Sequence, residues 1–278
     1  MGRWRAWQHC DIGGWTCGEG DNCLLLLHGG PGLSDYLEGF GDLLGEQLGE
    51  AWSIVRYQQR GLSPSTTLGP FTVEQEVRDL LMVCDGLDGE AVWMLGHSWG
   101  GHLAMHALVA AADQFRGAVV VDPLGAVADG GRRAMFKHFA SQLSPAEAAE
   151  WTRLEQLSTT QGLSPEQSAA QLSILWPYYF SDPASAPPEL PISQGPGSHW
   201  ESIDEHFEKQ TLLRGLQSAS TPTLFLAGTK SPIPYEQSLR SAELMPEAEV
   251  VLLPTGHFPW LECPDETVEP VVAFLRKT

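Results

Sequence analysis

The stretch Ala91-Val-Trp-Met-Leu-Gly-His-Ser-Trp-Gly-Gly-His-Leu-Ala104 decides the fold of this chain. Residues 91–95 are apolar, as in a buried strand, and residues 101–112 carry the small side chains of a closely packed helix. Between them, Gly96-His-Ser-Trp-Gly100 matches the pattern G-x-S-x-G, which places a serine on a tight strand-to-helix turn. Ser98 is therefore predicted to be a nucleophile. The alternative is an ordinary strand–turn–helix corner.

A glycine-rich loop, His28-Gly-Gly-Pro-Gly32, follows the apolar run at residues 23–27. Such a continuous run is typical of a strand buried on both faces of a parallel sheet. Acyl transfer to a serine needs two N–H donors aimed at the developing oxyanion, and one usually belongs to the residue after the nucleophile. We predict that Trp99 and Gly30 supply these two N–H groups. The alternative for the loop is a plain glycine–proline turn.

Strand-like and helix-like segments alternate along most of the chain. Strands are predicted at residues 52–57, 117–122, 222–228 and 249–253, and helices at residues 36–48, 72–87, 235–244 and 265–277. This alternation predicts an α/β fold with a doubly wound, mostly parallel sheet. In such sheets ligands bind at the carboxyl ends of the strands, where both Ser98 and Asp122 fall.

The pattern changes between residues 124 and 220. Two helical starts there, Ser144-Pro-Ala-Glu147 and Ser164-Pro-Glu-Gln167, have the form of capping boxes with proline at the first helical position. We predict a core formed by residues 1–123 and 221–278, with a mostly helical cap formed by residues 124–220. Trp176, Tyr179 and Trp200 are predicted to line an apolar substrate pocket, and packing of the cap against the core is the alternative.

His257 lies in the loop after the last predicted strand. A histidine at this place, after a serine and an acid in chain order, is where the general base of this architecture belongs. We predict that its Nε2 takes the proton of Ser98 and returns it to the leaving group. A solvated loop histidine is the alternative.

Four motifs together resemble the α/β-hydrolase superfamily and, within it, the proline iminopeptidase-like branch. They are His28-Gly-Gly-Pro-Gly32, Tyr57-Gln-Gln-Arg-Gly61, Gly96-His-Ser-Trp-Gly-Gly101 and Gly256-His257. The resemblance covers essentially the whole chain, and the cap matches least. It implies the α/β-hydrolase fold and a serine hydrolase that works without a cofactor.

One departure from these relatives concerns the acid that orients the histidine. Where many relatives read G-x-x-D-P, this chain reads Gly228-Thr-Lys-Ser-Pro232, so Ser231 stands in place of the aspartate. A hydroxyl cannot stabilise an imidazolium as a carboxylate does. Asp122 ends the strand after the nucleophile helix, a place from which some members supply the acid, and we predict Asp122 as the acid. The alternatives are an Asp122 that only bonds the following turn and a protein that has lost its triad.

A second departure concerns the substrate. Iminopeptidases resembling this chain carry acidic cap residues that hold the substrate's amino group. Glu201 lies in the corresponding region, as do Asp204, Glu205 and Glu208, and the surface charge of a helix is the alternative. Gln58 stands where those enzymes usually have Asp. We therefore predict a serine hydrolase that cleaves a small ester, lactone or amide through an acyl-enzyme. The alternatives are a proline iminopeptidase-type aminopeptidase and a non-catalytic ligand-binding homologue.

The composition limits the partners of this chain. Its 278 residues include 35 Asp+Glu against 16 Lys+Arg, a net charge of −19, which disfavours nucleic acid and anionic membranes as partners. No apolar run is long enough to span a bilayer, and no signal peptide is visible. The five cysteines lack metal-type spacing, so we expect no metal site. We therefore expect a cytoplasmic protein that acts on a small molecule or a short peptide.

Overall fold

The computed structural model describes residues 3–87, 92–161, 163–195 and 199–278. Within them the strands are β1 (Arg5–His9), β2 (Ile12–Cys17), β3 (Asn22–Leu27), β4 (Trp52–Tyr57), β5 (Val92–His97), β6 (Phe115–Val121), β7 (Thr223–Gly228) and β8 (Ala248–Leu253). They form one sheet in the order β1-β2-β4-β3-β5-β6-β7-β8. The strands from β3 to β8 run parallel, and β1 and β2 add an antiparallel edge.

Helices cover both faces of this sheet. In chain order they are α1 (Glu38–Leu48), α2 (Val73–Asp85), α3 (Trp99–Ala111), α4 (Arg132–Gln142), α5 (Pro145–Gln161), α6 (Pro165–Leu175), α7 (Trp200–Lys209), α8 (Thr211–Gly215), α9 (Glu236–Ala242), α10 (Pro259–Glu262) and α11 (Pro264–Lys277). Buried residues of α1 and α11 share one apolar cluster, and buried residues of α2 and α3 share a second. The chain is therefore wound on both sides of the sheet, as predicted.

The leucines of β3 show how one short strand fills two layers. Leu24 and Leu26 pack into the cluster that contains α1 and α11, whereas Leu25 and Leu27 pack into the cluster that contains α2 and α3. Successive side chains of a strand point to opposite faces, so a strand covered on both faces needs an unbroken apolar run. All four leucines are fully buried.

The doubly wound α/β fold predicted from the sequence is confirmed. β4 has the predicted bounds, and β7 and β8 differ from theirs by one residue. Ala91, predicted to begin the strand before Ser98, lies outside the described residues. β1 and β2 are not predicted from the sequence, because residues 5–17 mix polar and apolar side chains, include two adjacent glycines and show no long apolar run.

The segment between β6 and β7 is helical, with α4 to α8 in its described residues. Both capping boxes form: the Ser164 hydroxyl accepts from the Gln167 N–H while the Gln167 side chain accepts from the Ser164 N–H, and Ser144 pairs with Glu147 in the same way. No helix in the described part of the chain is long and apolar enough to cross a membrane. The proposed domain boundaries at residues 124 and 220 stay a prediction.

Candidate active site

Ser98 occupies the turn between β5 and α3 in a conformation that few residues adopt, with φ of 57° and ψ of −121°. The turn is tight because both of its glycines touch backbone. A Cβ on Gly96 would lie 2.2 Å from the carbonyl oxygen of Gly100, and a Cβ on Gly100 would lie 2.0 Å from that of Leu27. The Ser98 N–H donates to the carbonyl of Val121, which fixes the turn to the end of β6. Strain of this kind is typical of functional turns.

Asp122 and His257 lie together although 135 positions separate them in the chain. Asp122 directly follows β6, and His257 lies in the loop after β8. His257 Nδ1 is 2.5 Å from Asp122 Oδ2, and both side chains are almost fully buried. A carboxylate at Nδ1 leaves Nε2 of the imidazole available to accept a proton.

Two further donors orient the Asp122 carboxylate. The Gly228 N–H donates to Oδ1 at 3.0 Å, and the Ser231 hydroxyl donates to Oδ2 at 2.5 Å. Asp122 itself has a positive φ of 43°, and its N–H donates to the carbonyl of Leu226. Ser231 therefore bonds the same carboxylate oxygen as His257.

Both backbone polar groups of His257 are hydrogen-bonded. Its N–H donates to the carbonyl of Tyr179 at 2.7 Å, and its own carbonyl accepts from Nε2 of His97 at 2.8 Å. The Tyr179 ring stacks on the His257 ring, with centroids 5.2 Å apart and an interplanar angle of 27°. The preceding Gly256 allows this contact, because a Cβ there would lie 2.2 Å from the Tyr179 oxygen.

The loop after β3 lies against the serine turn. A Cβ on Gly29 would be 3.0 Å from the Cβ of Ser98, and Gly30 has a φ of 143° that favours glycine. His28 braces the loop: its Nδ1–H donates to the Gly29 carbonyl, and its Nε2 accepts from the Gln59 N–H. Burial lowers the pKa of His28, which keeps it neutral and able to accept at Nε2.

Trp99 begins α3, and the first N–H groups of a helix have no partner within the helix. Its side chain is fully buried and points its Nε1–H at Gln59 Oε1, at 2.9 Å. Gln59 in turn donates to the His28 carbonyl. The side chain of Trp99 and the loop that begins at His28 are thus linked through one glutamine.

Ser98, His257 and Gly30 line one cavity of about 180 Å³. Three polar side chains, those of Glu155, Gln171 and Gln194, also reach it. The rest of the lining is apolar or aromatic and comes from the loops of the sheet and from the helical segment: Pro31, Leu33, Leu124, Met135, Phe136, Phe139, Trp151, Leu172, Leu175, Tyr179, Trp200 and Ile233. The cavity therefore suits a small, mainly apolar group placed against Ser98.

Comparison with known proteins shows the family of this chain. The family model described as "Alpha/beta hydrolase family" matches residues 24–269. The chain belongs to this family. The resemblance to the α/β-hydrolase superfamily noted in the sequence is thereby confirmed.

Several alpha/beta hydrolases are similar to this chain. A proline iminopeptidase of Elizabethkingia meningoseptica is 23% identical over 267 residues, which cover 87% of this chain and 86% of that enzyme. A 3-oxoadipate enol-lactonase 2 of Acinetobacter baylyi is 22% identical over 187 residues, which cover 66% of this chain and 63% of the lactonase. Among solved structures, the proline iminopeptidase of Mycobacterium smegmatis has a TM-score of 0.68 at 21% identity, covering 99% of this chain and 98% of that one. The structural likeness shows the fold.

The residues predicted to bind substrate in this alpha/beta hydrolase fall into two groups. Tyr179 and Trp200 line the cavity. Trp176 instead packs against Phe180 and Phe258 and donates its Nε1–H to a backbone carbonyl, and Glu201 is exposed. Neither Trp176 nor Glu201 is among the described residues that line the cavity.

Glu155 and Gln171 reach the cavity without having been singled out in the sequence. Glu155 belongs to α5 and Gln171 to α6, and Gln171 Nε2 donates to Glu155 Oε1 at 2.7 Å. The sequence offers no local motif for them, because each is one polar residue among several on its helix. Their position follows from how α5 and α6 pack over the strand ends.

His102 and His106 of α3 form a buried pair away from this cavity. His102 Nδ1–H donates to the Leu124 carbonyl, so its Nε2 accepts from His106 Nε2–H at 3.3 Å. Burial lowers the pKa of His102 to about 4 and the pKa of His106 well below its usual range. Within the described residues no group of three or more His, Cys, Asp or Glu side chains could hold a metal ion.

Proposed function

We propose that this chain is a serine hydrolase that cleaves a small ester, lactone or amide through an acyl-enzyme intermediate. Ser98 Oγ attacks the carbonyl carbon while His257 Nε2 accepts the hydroxyl proton. Asp122 holds the imidazole in the required tautomer and stabilises the imidazolium, and the N–H groups of Gly30 and Trp99 stabilise the oxyanion. His257 then gives its proton to the leaving group, and a water activated by His257 releases the acyl group from Ser98.

The observation that carries this proposal is the 2.5 Å contact between His257 Nδ1 and Asp122 Oδ2 beside a cavity that Ser98 and His257 both line. The carboxylate supplies the charge that Ser231 lacks at the place where relatives have an acid. This contact argues against a binding protein without catalysis, since that hypothesis rests on a missing acid. The helical segment contributes much of the cavity wall, and we propose that it acts as a cap over the substrate.

The proposal is tested by following hydrolysis of a short-chain nitrophenyl ester and labelling by a fluorophosphonate probe. The wild-type chain should turn over the ester and be labelled, and Ser98→Ala should lose both activities. Ser63→Ala, a change in an exposed turn that does not line the cavity, serves as the matched control and should keep both. A wild-type chain that neither reacts with the probe nor hydrolyses any of a panel of esters, lactones and amides would contradict the proposal.

A second candidate function is removal of N-terminal proline, as the names of two similar proteins suggest. One observation favours it: Glu155 reaches the cavity, and the described lining residues include no Lys or Arg. A carboxylate there would pair with the protonated amino group of a peptide. Glu155 thus replaces Glu201 as the cap carboxylate to examine for this role.

Comparison of prolyl anilide with N-acetylprolyl anilide tests the aminopeptidase hypothesis. If the enzyme needs a free amino group, only the first is hydrolysed, and Glu155→Gln raises its KM about tenfold or more because a charge-assisted contact is lost. Glu150→Gln changes an exposed glutamate of the same helix outside the cavity and should leave KM unchanged. Equal turnover of both anilides would contradict this function and leave the esterase-type activity standing.

A further inference from the structure

Tyr36 and His97 are buried polar residues that the proposed mechanism does not use. His97 is fully buried, and Tyr36 is 9% exposed. The Tyr36 hydroxyl lies 2.9 Å from the N–H of Gly29 and 2.6 Å from His97 Nδ1. His97 Nε2 lies 2.8 Å from the carbonyl oxygen of His257. Four residues from three separate parts of the chain are therefore joined by three hydrogen bonds.

The chemistry of the groups fixes the direction of each bond. The carbonyl of His257 can only accept, so His97 Nε2 carries a hydrogen. A neutral imidazole then has a lone pair at Nδ1, which accepts from the Tyr36 hydroxyl. The hydroxyl oxygen is left to accept from the Gly29 N–H. The chain Gly29→Tyr36→His97→His257 thus uses every donor once and runs in one direction.

His97 must stay neutral for this chain to hold, because a protonated ring would donate from both nitrogens. Burial, followed by the nearby His257, lowers the pKa of His97 well below its usual range. The ring is also held in place by its neighbours, with centroids 4.7 Å from Trp260 and 5.0 Å from Phe258. Its orientation is therefore set by packing as well as by hydrogen bonds.

The two ends of this hydrogen-bond chain, Gly29 and His257, belong to the two parts of the proposed catalytic machinery. Gly29 precedes Gly30, whose N–H is proposed to bind the oxyanion, and His257 is the proposed base. Both groups must sit correctly with respect to Ser98 at the same moment, and an error of about 1 Å can lower a rate about 100-fold. We infer that Tyr36 and His97 are positioning residues that hold the oxyanion loop and the backbone of His257 in a fixed relation. This inference rests on the proposed serine hydrolase function.

Tyr36→Phe is the first test, because it removes the hydroxyl and keeps the ring. With a nitrophenyl ester as substrate, kcat should fall about 10- to 100-fold while KM changes less than about threefold. Tyr57→Phe is the matched control: Tyr57 is fully buried, and its hydroxyl has no hydrogen-bond partner among the described residues. The control should keep kcat, although both variants lose a buried hydroxyl.

Two substitutions of His97 test its two hydrogen bonds separately. Gln places an N–H where His97 Nε2 donates to the His257 carbonyl, whereas Asn places an oxygen where Nδ1 accepts from Tyr36. His97→Gln should therefore retain more kcat than His97→Asn, since it keeps the contact with the base. Urea unfolding of each variant shows whether the assayed protein is folded. Rates are compared only at temperatures at which the variant is folded.

The outcomes separate this inference from the proposed function. If the wild-type chain is active, Ser98→Ala is inactive and folded Tyr36→Phe keeps kcat within about twofold, the positioning role is wrong and the serine mechanism stands. If folded Tyr36→Phe proves unobtainable, folded His97→Gln and His97→Asn variants that both keep kcat within about twofold of wild type would overturn the inference in the same way. If Ser98→Ala remains as active as wild type, the serine mechanism itself fails.

Discussion

Asp122 receives two donors on one oxygen, from Ser231 and from His257, each at 2.5 Å. Position 231 therefore contacts the carboxylate of the proposed acid. The Ser231 hydroxyl donates to the same oxygen that faces His257. Moving the carboxylate from position 122 to position 231 therefore tests which position can supply the acid.

Asp122→Asn should lower kcat roughly 10³- to 10⁴-fold, because an amide keeps the shape but favours the wrong tautomer of His257. Adding Ser231→Asp to that variant returns a carboxylate to the same site and should recover at least about tenfold of the loss. Steady-state hydrolysis of a nitrophenyl ester by the single and double variants measures both effects.

Ser231→Ala alone removes a hydroxyl and no charge, so it should keep kcat within a few-fold and serves as the control for the exchange. Near-normal turnover by Asp122→Asn would show that Asp122 is not the acid. A double variant no better than Asp122→Asn would show that only the end of β6 can present a carboxylate to His257.

At the scale of elements, α3 is buried along almost its whole length, from Trp99 to Leu108. Its glycines and alanines let it lie close to β5 and β6, and its two histidines must be satisfied inside the protein. They bond each other and the Leu124 carbonyl in their neutral forms. The packing of α3, which carries the proposed oxyanion donor, therefore requires both histidines to stay neutral.

The free energy of unfolding should fall as the pH is lowered from about 7 to about 4. The folded chain holds His102 neutral down to a pKa of about 4, whereas the unfolded chain takes up a proton near its ordinary value of 6.5. The unfolded state thus binds more protons in this range, which removes about 3 kcal/mol of stability for His102. Urea unfolding at several pH values measures the slope.

His102→Gln tests the origin of that slope. A glutamine does not titrate, so the loss of stability between pH 7 and pH 4 should be smaller in the variant than in the wild-type chain. An unchanged pH dependence would mean that other groups cause the acid sensitivity. The comparison is made between slopes, so a constant loss of stability from the substitution does not affect it.

The sequence predicts elements and local turns well and long-range contacts only where a motif marks them. The spacing of the glycines predicts the strand–serine–helix turn. The place of Asp122 at a strand end predicts that its side chain lies near the serine turn. The Tyr36–His97 contact spans 61 positions and depends on how the loop after β3 folds back, which no local pattern records. Both glutamates are exposed, and that Glu155 lines the cavity while Glu201 does not likewise depends on helix packing.

At the scale of the whole molecule, the chain has a net charge of −19. The described lining of the cavity contains Glu155 and no Lys or Arg. The global field and the local charge have the same sign. Both should hold anionic substrates away and favour neutral or cationic ones.

A nitrophenyl ester with a carboxylate in its acyl group should therefore have a kcat/KM at least about tenfold lower than a neutral ester of similar size. The gap should narrow as ionic strength rises from about 0.01 M to about 1 M, because the Debye length falls from about 30 Å to about 3 Å. Glu155→Gln separates the two sources: it removes the local charge and leaves the overall field almost unchanged. Equal kcat/KM values at low salt would contradict the prediction.

The order of the three proposed catalytic residues along the chain has a consequence for biosynthesis. Ser98 follows β5 and Asp122 follows β6, whereas His257 follows β8 and is separated from them by the whole helical segment. Because a protein is made from its N-terminus, a growing chain displays the serine and the acid long before the histidine exists. Under the proposed mechanism, the Ser98 hydroxyl of a nascent polypeptide is therefore not activated until translation has supplied His257, after the last strand.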